Sequence, residues 1–281
     1  MHVFTICNHK GGTGKTTSVI HIAAAMGLSG HRTLVVDLDP QGFLTRTMGI
    51  DPDAHDDTAL SLFGPDADLW ACRTVSMSGF DLLPSSNRLT REMRDLNKPT
   101  DVLWIREAIE RNIDTASYDA VLFDTAAAVT VYSLNALVAS QYAVIPVLPE
   151  YQSVVGAEQT YQTVSMVRKR LNPDLHPSMF LFTQVDERKR LHSAYRSYMR
   201  KKYTHRVLDT IIRTSTSLTE ASEDGETVFD TDPQSKGARN YANATDDLLQ
   251  RVKAYERKEA EAKANVQPVP STPPPETPSF S

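Results

Sequence analysis

Only two cysteines, Cys7 and Cys72, occur in 281 residues. Two thiols so far apart make neither a disulfide framework nor a zinc site, and iron–sulfur chemistry lacks its paired thiolates. Free thiols fit a reducing compartment, so a cytoplasmic location is expected. No apolar run approaches the ~18–20 residues that a membrane span needs. The N-terminus enters an apolar strand at once, which is expected to leave no room for a leader. The eight histidines are scattered without metal-ligand spacing, and no Ser/His/Asp hydrolase pattern appears. Basic residues are not in excess: 30 against 35 acids gives a net charge of −5, so any nucleic-acid contact must come from a local patch.

What is present begins at Cys7-Asn8-His9-Lys10-Gly11-Gly12-Thr13-Gly14-Lys15-Thr16-Thr17. Glycines so placed let consecutive backbone N–H groups curl around a phosphate. Lys15 can then reach the β- and γ-phosphates, and the Thr16 hydroxyl can hold Mg²⁺. Apolar Val3–Cys7 reads as a buried strand before this loop, and residues 16–28 read as a helix after it, whose N-terminus favours an anion. Gly11, Gly12, Thr13, Gly14, Lys15, Thr16 and Thr17 are therefore the candidate nucleotide-binding residues. Two details depart from the general phosphate loop: His9 stands where a glycine is usual, and there is an additional lysine, Lys10.

Apolar runs alternate with longer amphipathic ones, the pattern of βα units and a parallel sheet. Expected strands are 3–7, 33–37, 80–83, 120–123, 142–148 and 179–183, with a possible edge strand at 207–212. Expected helices are 16–28, 87–96, 101–114, 132–140, 154–171, 191–203 and 235–264. The fold class is thus α/β, a mostly parallel twisted sheet flanked by helices on both faces. From about Asn265 the chain becomes rich in Pro, Ser and Thr. Such a composition buries too little to offset its ordering entropy, so 1–264 is expected to be one folded domain carrying the nucleotide loop and 265–281 a disordered tail.

Two acid-ended strands complete the candidate site. In Val35-Val36-Asp37-Leu38-Asp39-Pro40-Gln41-Gly42 the alternating acids fall on one side of the sheet. In Tyr118 to Thr125 a hydrophobic strand ends in Asp124, the usual arrangement for a Mg²⁺-holding carboxylate. The loop with its extra Lys10 resembles the deviant Walker A loop of the ParA/MinD family of ATPases. Further resemblance lies in the 37–42 string, Asn135-Ala136-Leu137, Val144 to Val147, Leu218-Thr219-Glu220-Ala221, and the Asp232 to Ala238 entry into the last helix. It runs from about Val3 to about Val252 and is closest to the compact Soj-like kind. One departure is Ala126-Ala127, where the family usually has prolines after the Walker B acid; this is expected to loosen the switch loop.

The resemblance implies ATP and Mg²⁺ as cofactors and ATP hydrolysis as the activity. It implies that Lys10 reaches across a homodimer to the partner's nucleotide and that Lys10 and Lys15 stabilise the transferring phosphoryl group. By the match, Asp39 positions the attacking water, Asp37 supports the Mg²⁺ and switch region beside Thr16 and Asp124, and Arg213 belongs to a loop near the adenine. Between Arg188 and Arg213 the only acid is Asp209. Arg188, Lys189, Arg190, Arg196, Arg200, Lys201 and Lys202 form a basic strip that is either a solvated helix face or, as the resemblance implies, a surface for non-specific DNA. The expected function is ATP-dependent DNA partition on the nucleoid, with a ParB-like activator and no stable membrane association. The alternatives are a ParA-like ATPase carrying a non-DNA cargo such as a carboxysome or chemoreceptor cluster, a MinD-like membrane-surface ATPase, and a nucleotide-gated scaffold that barely hydrolyses ATP.

Overall fold

The apolar runs become one eight-stranded sheet in the computed structural model, which describes residues 1–264 except Asp53, Arg94, Asp95 and Asn97. The strands are β1 (His2–Ile6), β2 (Thr33–Asp37), β3 (Val75–Met77), β4 (Phe80–Leu83), β5 (Ala120–Asp124), β6 (Tyr142–Val147), β7 (Met179–Val185) and β8 (Val207–Arg213). Their spatial order is β3-β4-β2-β5-β1-β6-β7-β8, and every neighbouring pair is parallel except β3 with β4. The inner strands β1, β2, β5 and β6 carry no exposed residue, as expected where helices cover both faces.

The helices are α1 (Lys15–Leu28), α2 (Phe43–Thr47), α3 (Leu89–Glu92), α4 (Trp104–Glu110), α5 (Val131–Ala139), α6 (Tyr151–Arg170), α7 (Arg190–Tyr203), α8 (Thr216–Asp224), α9 (Val228–Thr231) and α10 (Lys236–Ala264). On one face α1 and α10 pack Ile20, Met26, Tyr241 and Leu248 against Phe4, Val35, Leu122 and Leu181. On the other, α4 and α5 cover Val3, Leu34 and Phe123, while α6 and α7 cover Ile145, Phe180 and Ile211.

Three expectations are corrected. The helix expected over 87–96 is only Leu89–Glu92 among the described residues; Pro99 soon follows and pushes Lys98 into extended backbone, φ −84° and ψ 151°. The helix expected over 101–114 breaks into a 3₁₀ turn at Pro99–Val102, α4, and a second 3₁₀ turn at Ile113–Thr115. Asn112 separates the last two with φ 53°, which no α-helix can propagate through. The antiparallel edge strand β3 was not expected: its three residues show no apolar run and owe their pairing to a hairpin with β4. The segment read as a disordered tail, 265–281, lies outside the described residues.

Parallel pairing is what builds the site. Ile6 and Asp124 are register partners, as are Asp37 and Asp124, so the loops leaving β1, β2 and β5 emerge along one edge. The chain leaves β1 for β2, across β5, while β6 to β8 extend the other way. Ligands of open α/β sheets bind at such a reversal.

Candidate active site

The loop after β1 is fastened before it turns. Buried Asn8 donates through Nδ2 to the Pro146 carbonyl at 2.7 Å and accepts the Lys10 N–H at 2.9 Å. The His9 N–H donates to Thr160 Oγ1 of α6 at 3.0 Å. The loop then needs two left-handed residues, Gly12 (φ 74°) and Gly14 (φ 79°), where a side chain would be strained. Two residues near the end of β7 hold its carbonyls: Thr183 Oγ1 donates to Thr13 O at 2.8 Å and Gln184 Nε2 to Gly12 O at 3.0 Å.

Lys15 is buried as the first residue of α1, and its Nζ lies 3.4 Å from the Lys10 carbonyl. Burial lowers its pKa, opposed by the nearby acids Asp124 and Asp39. The first turn of α1 contains no acid, so its free N–H groups and the Lys15 ammonium form an anion cradle. The Lys10 side chain, by contrast, is exposed and forms no ion pair among the described residues.

The three acids occupy different environments. Asp124 is fully buried; its Oδ2 accepts from Thr16 Oγ1 at 2.7 Å, and its Oδ1 has no partner. Burial first, and the adjacent Asp37 second, hold its carboxyl well above the usual range. A buried carboxylate oxygen with no donor, next to a second acid and a threonine hydroxyl, fits a small divalent cation in its donor set. Asp37 is pushed up to about 6, chiefly by burial. Both its oxygens are engaged: Oδ1 accepts from the Asp39 N–H at 3.1 Å, Oδ2 from the Thr45 N–H at 3.0 Å and its hydroxyl at 2.7 Å. Its contacts therefore brace the 39–45 segment. Asp39 is half-buried and lines the cavity in front of the loop.

That cavity, about 410 Å³, is lined by residues 11–17 together with Asp39, Phe43 and Ala127. A neighbouring one of about 320 Å³ shares Gly14, Thr17 and Ser222 with it and is lined further by Gln184, Arg213 and Tyr241. Together they offer a phosphate chamber and an adjoining chamber for a base and sugar. Arg213 is thus brought to the site, though its guanidinium is paired with Glu187 at 2.6 Å.

A family model described as an AAA domain matches residues 1–177. The sporulation initiation inhibitor protein Soj of Bacillus subtilis is 32% identical over 245 residues, covering 85% of this chain and 94% of that protein. The chromosome-partitioning ATPase Soj of Thermus thermophilus is 32% identical over 254 residues, covering 88% and 95%. The chain belongs to the ParA/Soj family of P-loop ATPases. A cobyrinic acid a,c-diamide synthase from Mycobacterium smegmatis, solved with ADP and magnesium, superposes with a TM-score of 0.75 at 29% identity, covering 90% of this chain and 96% of that one.

In this ParA/Soj-family chain the basic strip is brought together only in part. Arg190, Arg196, Arg200, Lys201 and Lys202 ride on α7, with Arg188 and Lys189 just before it. Neighbours local in sequence and across the fold engage several of them. Arg188 pairs with Asp186 at 2.9 Å, which holds that carboxyl down at about 2. Lys202 pairs with Glu158 of α6 at 2.7 Å. Arg200 donates to the Asp209 carbonyl at 3.0 Å. Lys189, Arg190, Arg196 and Lys201 have no ion pair among the described residues, and Arg196 Nε is buried without a partner.

Sequence reasoning passed over Asn8, Thr45, Thr160, Thr183 and Gln184. Asn8 was open to detection, because an amide inside a phosphate loop is a specific choice. The others lie far along the chain and carry no local signal.

Proposed function

We propose that this chain is an ATP-hydrolysing DNA-partition protein. Its ATP-bound homodimer binds nucleoid DNA without sequence preference, and a ParB-like partner stimulates hydrolysis and releases it. The observation that carries the reading is Lys10. Its backbone is fixed by Asn8, it is exposed next to Gly11 of the phosphate chamber, and it forms no ion pair among the described residues. A cation held that way is available to a nucleotide bound by a second copy.

The roles follow from position. Thr16 and Asp124 would hold Mg²⁺, which when bound supplies charge neutralisation at the β- and γ-phosphates. Asp37 acts at one remove, bracing the segment that carries Asp39. Asp39, facing the same chamber, orients the attacking water. Lys15 in its own subunit and Lys10 from the other stabilise charge on the transferring phosphoryl group. Arg213 borders the base chamber. Lys189, Arg190, Arg196 and Lys201, with their paired neighbours, present positive charge to DNA. The name of the Thermus thermophilus relative, a chromosome-partitioning ATPase, supports a DNA cargo, and a cytoplasmic, nucleoid-associated location accompanies it.

Two substitutions test this. Lys10→Ala should abolish ATP-dependent dimerisation in light scattering while retaining nucleotide binding through Lys15. Asp39→Ala should keep the ATP dimer on DNA and stop phosphate release. Unchanged turnover in both variants would refute the assignment.

A further inference from the structure

A second cleft lies at the other edge of the sheet. α7 ends at Tyr203 and β8 starts at Val207, so the intervening turn sits at the N-terminal end of β8, the end opposite Arg213 and the nucleotide chambers. There Tyr161 and Gln162 of α6 face Lys202, Tyr203, Thr204, His205 and Arg206 around a cavity of about 540 Å³. No carboxylate lines it. Glu158, on α6 ahead of Tyr161, is occupied by Lys202 at 2.7 Å and the Tyr198 hydroxyl at 3.0 Å.

The aromatic wall is rigid. Tyr161 and Tyr203 meet edge-on with ring centres 5.1 Å apart, and both pack on buried Phe180, at 5.8 and 4.7 Å. The Arg206 guanidinium lies 5.1 Å from the Tyr161 ring centre and donates to the Tyr161 hydroxyl. It has no ion pair among the described residues, so its charge is uncompensated. The turn itself is strained: Thr204, a β-branched residue, takes φ 44° and ψ −108°. It is held there from both sides, by the Thr204 N–H to the Arg200 carbonyl and by Arg251 to the His205 carbonyl. Strain of this kind survives only where surrounding contacts enforce it, and it collects at binding sites.

We propose that this cleft is a second site for a nucleotide unit, independent of the phosphate loop. The base lies against Tyr161 and Tyr203, and the phosphate is met by Arg206, with His205 and Lys202 at the rim. Flat rings beside an unneutralised guanidinium match that chemistry, since stacking needs no base identity and the cation needs a phosphate. The unit could arrive as a free mononucleotide or as one residue of a single strand.

The test uses the full chain with Lys15→Ala, which removes the phosphate-loop lysine. A fluorescent AMP, adenosine, ribose 5-phosphate, a hexathymidylate strand and its duplex are titrated against it. Saturable AMP binding, weakened about tenfold or more by Arg206→Gln and by omitting either base or phosphate, supports the site. Tighter binding of the strand than of AMP identifies nucleic acid as the source; equal or weaker binding identifies the free nucleotide. Tyr161→Leu should weaken AMP binding similarly, while wild-type chain carrying this change still binds ATP at the loop and so remains folded. The proposal is overturned if AMP does not saturate, if Arg206→Gln leaves it unchanged, or if the duplex competes as well as the strand.

Discussion

At the residue scale, Asp124 concentrates the electrostatics of the site. Its Oδ1 is buried and unpartnered, and Asp37 stands beside it in register. In the nucleotide-free protein this carboxylate costs stability, because a buried charge without a partner is unfavourable. Asp124→Asn should therefore raise the melting temperature of the nucleotide-free protein, by the equivalent of about 1–3 kcal/mol. The same variant should lose the additional stabilisation that Mg²⁺ gives in the presence of ATP. Calorimetry with and without Mg²⁺ separates the two effects. A lower melting temperature without ligand would show that the Thr16 bond to Asp124 outweighs the buried charge.

His21 offers a second residue-scale expectation. It is fully buried; its Nδ1 lies 2.7 Å from the Thr17 carbonyl, and its Nε2 accepts the Val228 N–H at 3.1 Å. The two bonds together define a neutral ring with the proton on Nδ1, and burial lowers the pKa to about 4. Below the ordinary value near 6.5 the unfolded chain takes up a proton that the folded one refuses. Stability from this residue is therefore complete above pH ~6.5 and falls as the pH drops toward 4, by up to about 3 kcal/mol. His21→Gln should be less stable at pH 7 and should lack this part of the acid slope in urea titrations.

At the scale of elements, α6 decides where Lys10 stands. Gly156 lies under the loop, and a Cβ added there would come 3.1 Å from the Lys10 Cβ and 3.6 Å from Asn8 Oδ1. Gly156→Ala gains up to about 1 kcal/mol of helix propensity, yet it must displace the loop by a few tenths of an ångström. The expected outcome is a chain of unchanged or slightly higher melting temperature with weakened ATP-dependent dimerisation. Analytical ultracentrifugation with ATP and Mg²⁺ checks it; normal dimerisation would mean that the loop yields freely. α6 opens at Tyr151, three residues earlier than periodicity suggests. Ser153 Oγ accepts the Leu148 N–H at 2.9 Å, tying the first turn of α6 to the end of β6.

At the scale of the whole molecule, charge is distributed by the fold rather than by the linear order of residues. The net charge is −5, and the β7–α7 loop and α6 supply acids to Arg188 and Lys202 of the strip. Lys189, Arg190, Arg196 and Lys201 have no ion pair among the described residues. Arg190→Ala and Lys201→Ala should thus weaken ATP-dependent DNA binding more than Arg188→Ala, each lowering the salt slope by about 1. Binding curves on unrelated duplexes over a range of salt measure this. Equal losses from all three would mean that the Arg188–Asp186 pair opens on DNA.

The sequence alone determined the phosphate loop, the acids that end β2 and β5, and the alternation that makes a parallel α/β sheet. These are local: glycine spacing, strand period and apolar runs need no distant partner to be read. It also located β8 and α10 to within a residue. Tertiary structure alone decided that Asp124 would keep an unpartnered oxygen beside Asp37, because that depends on strand register across the sheet. It decided which arginines and lysines would be neutralised, because Glu158 meets Lys202 only after α6 and α7 pack side by side. The division has one physical cause: backbone conformation answers to neighbours in sequence, whereas burial and charge pairing answer to neighbours in space.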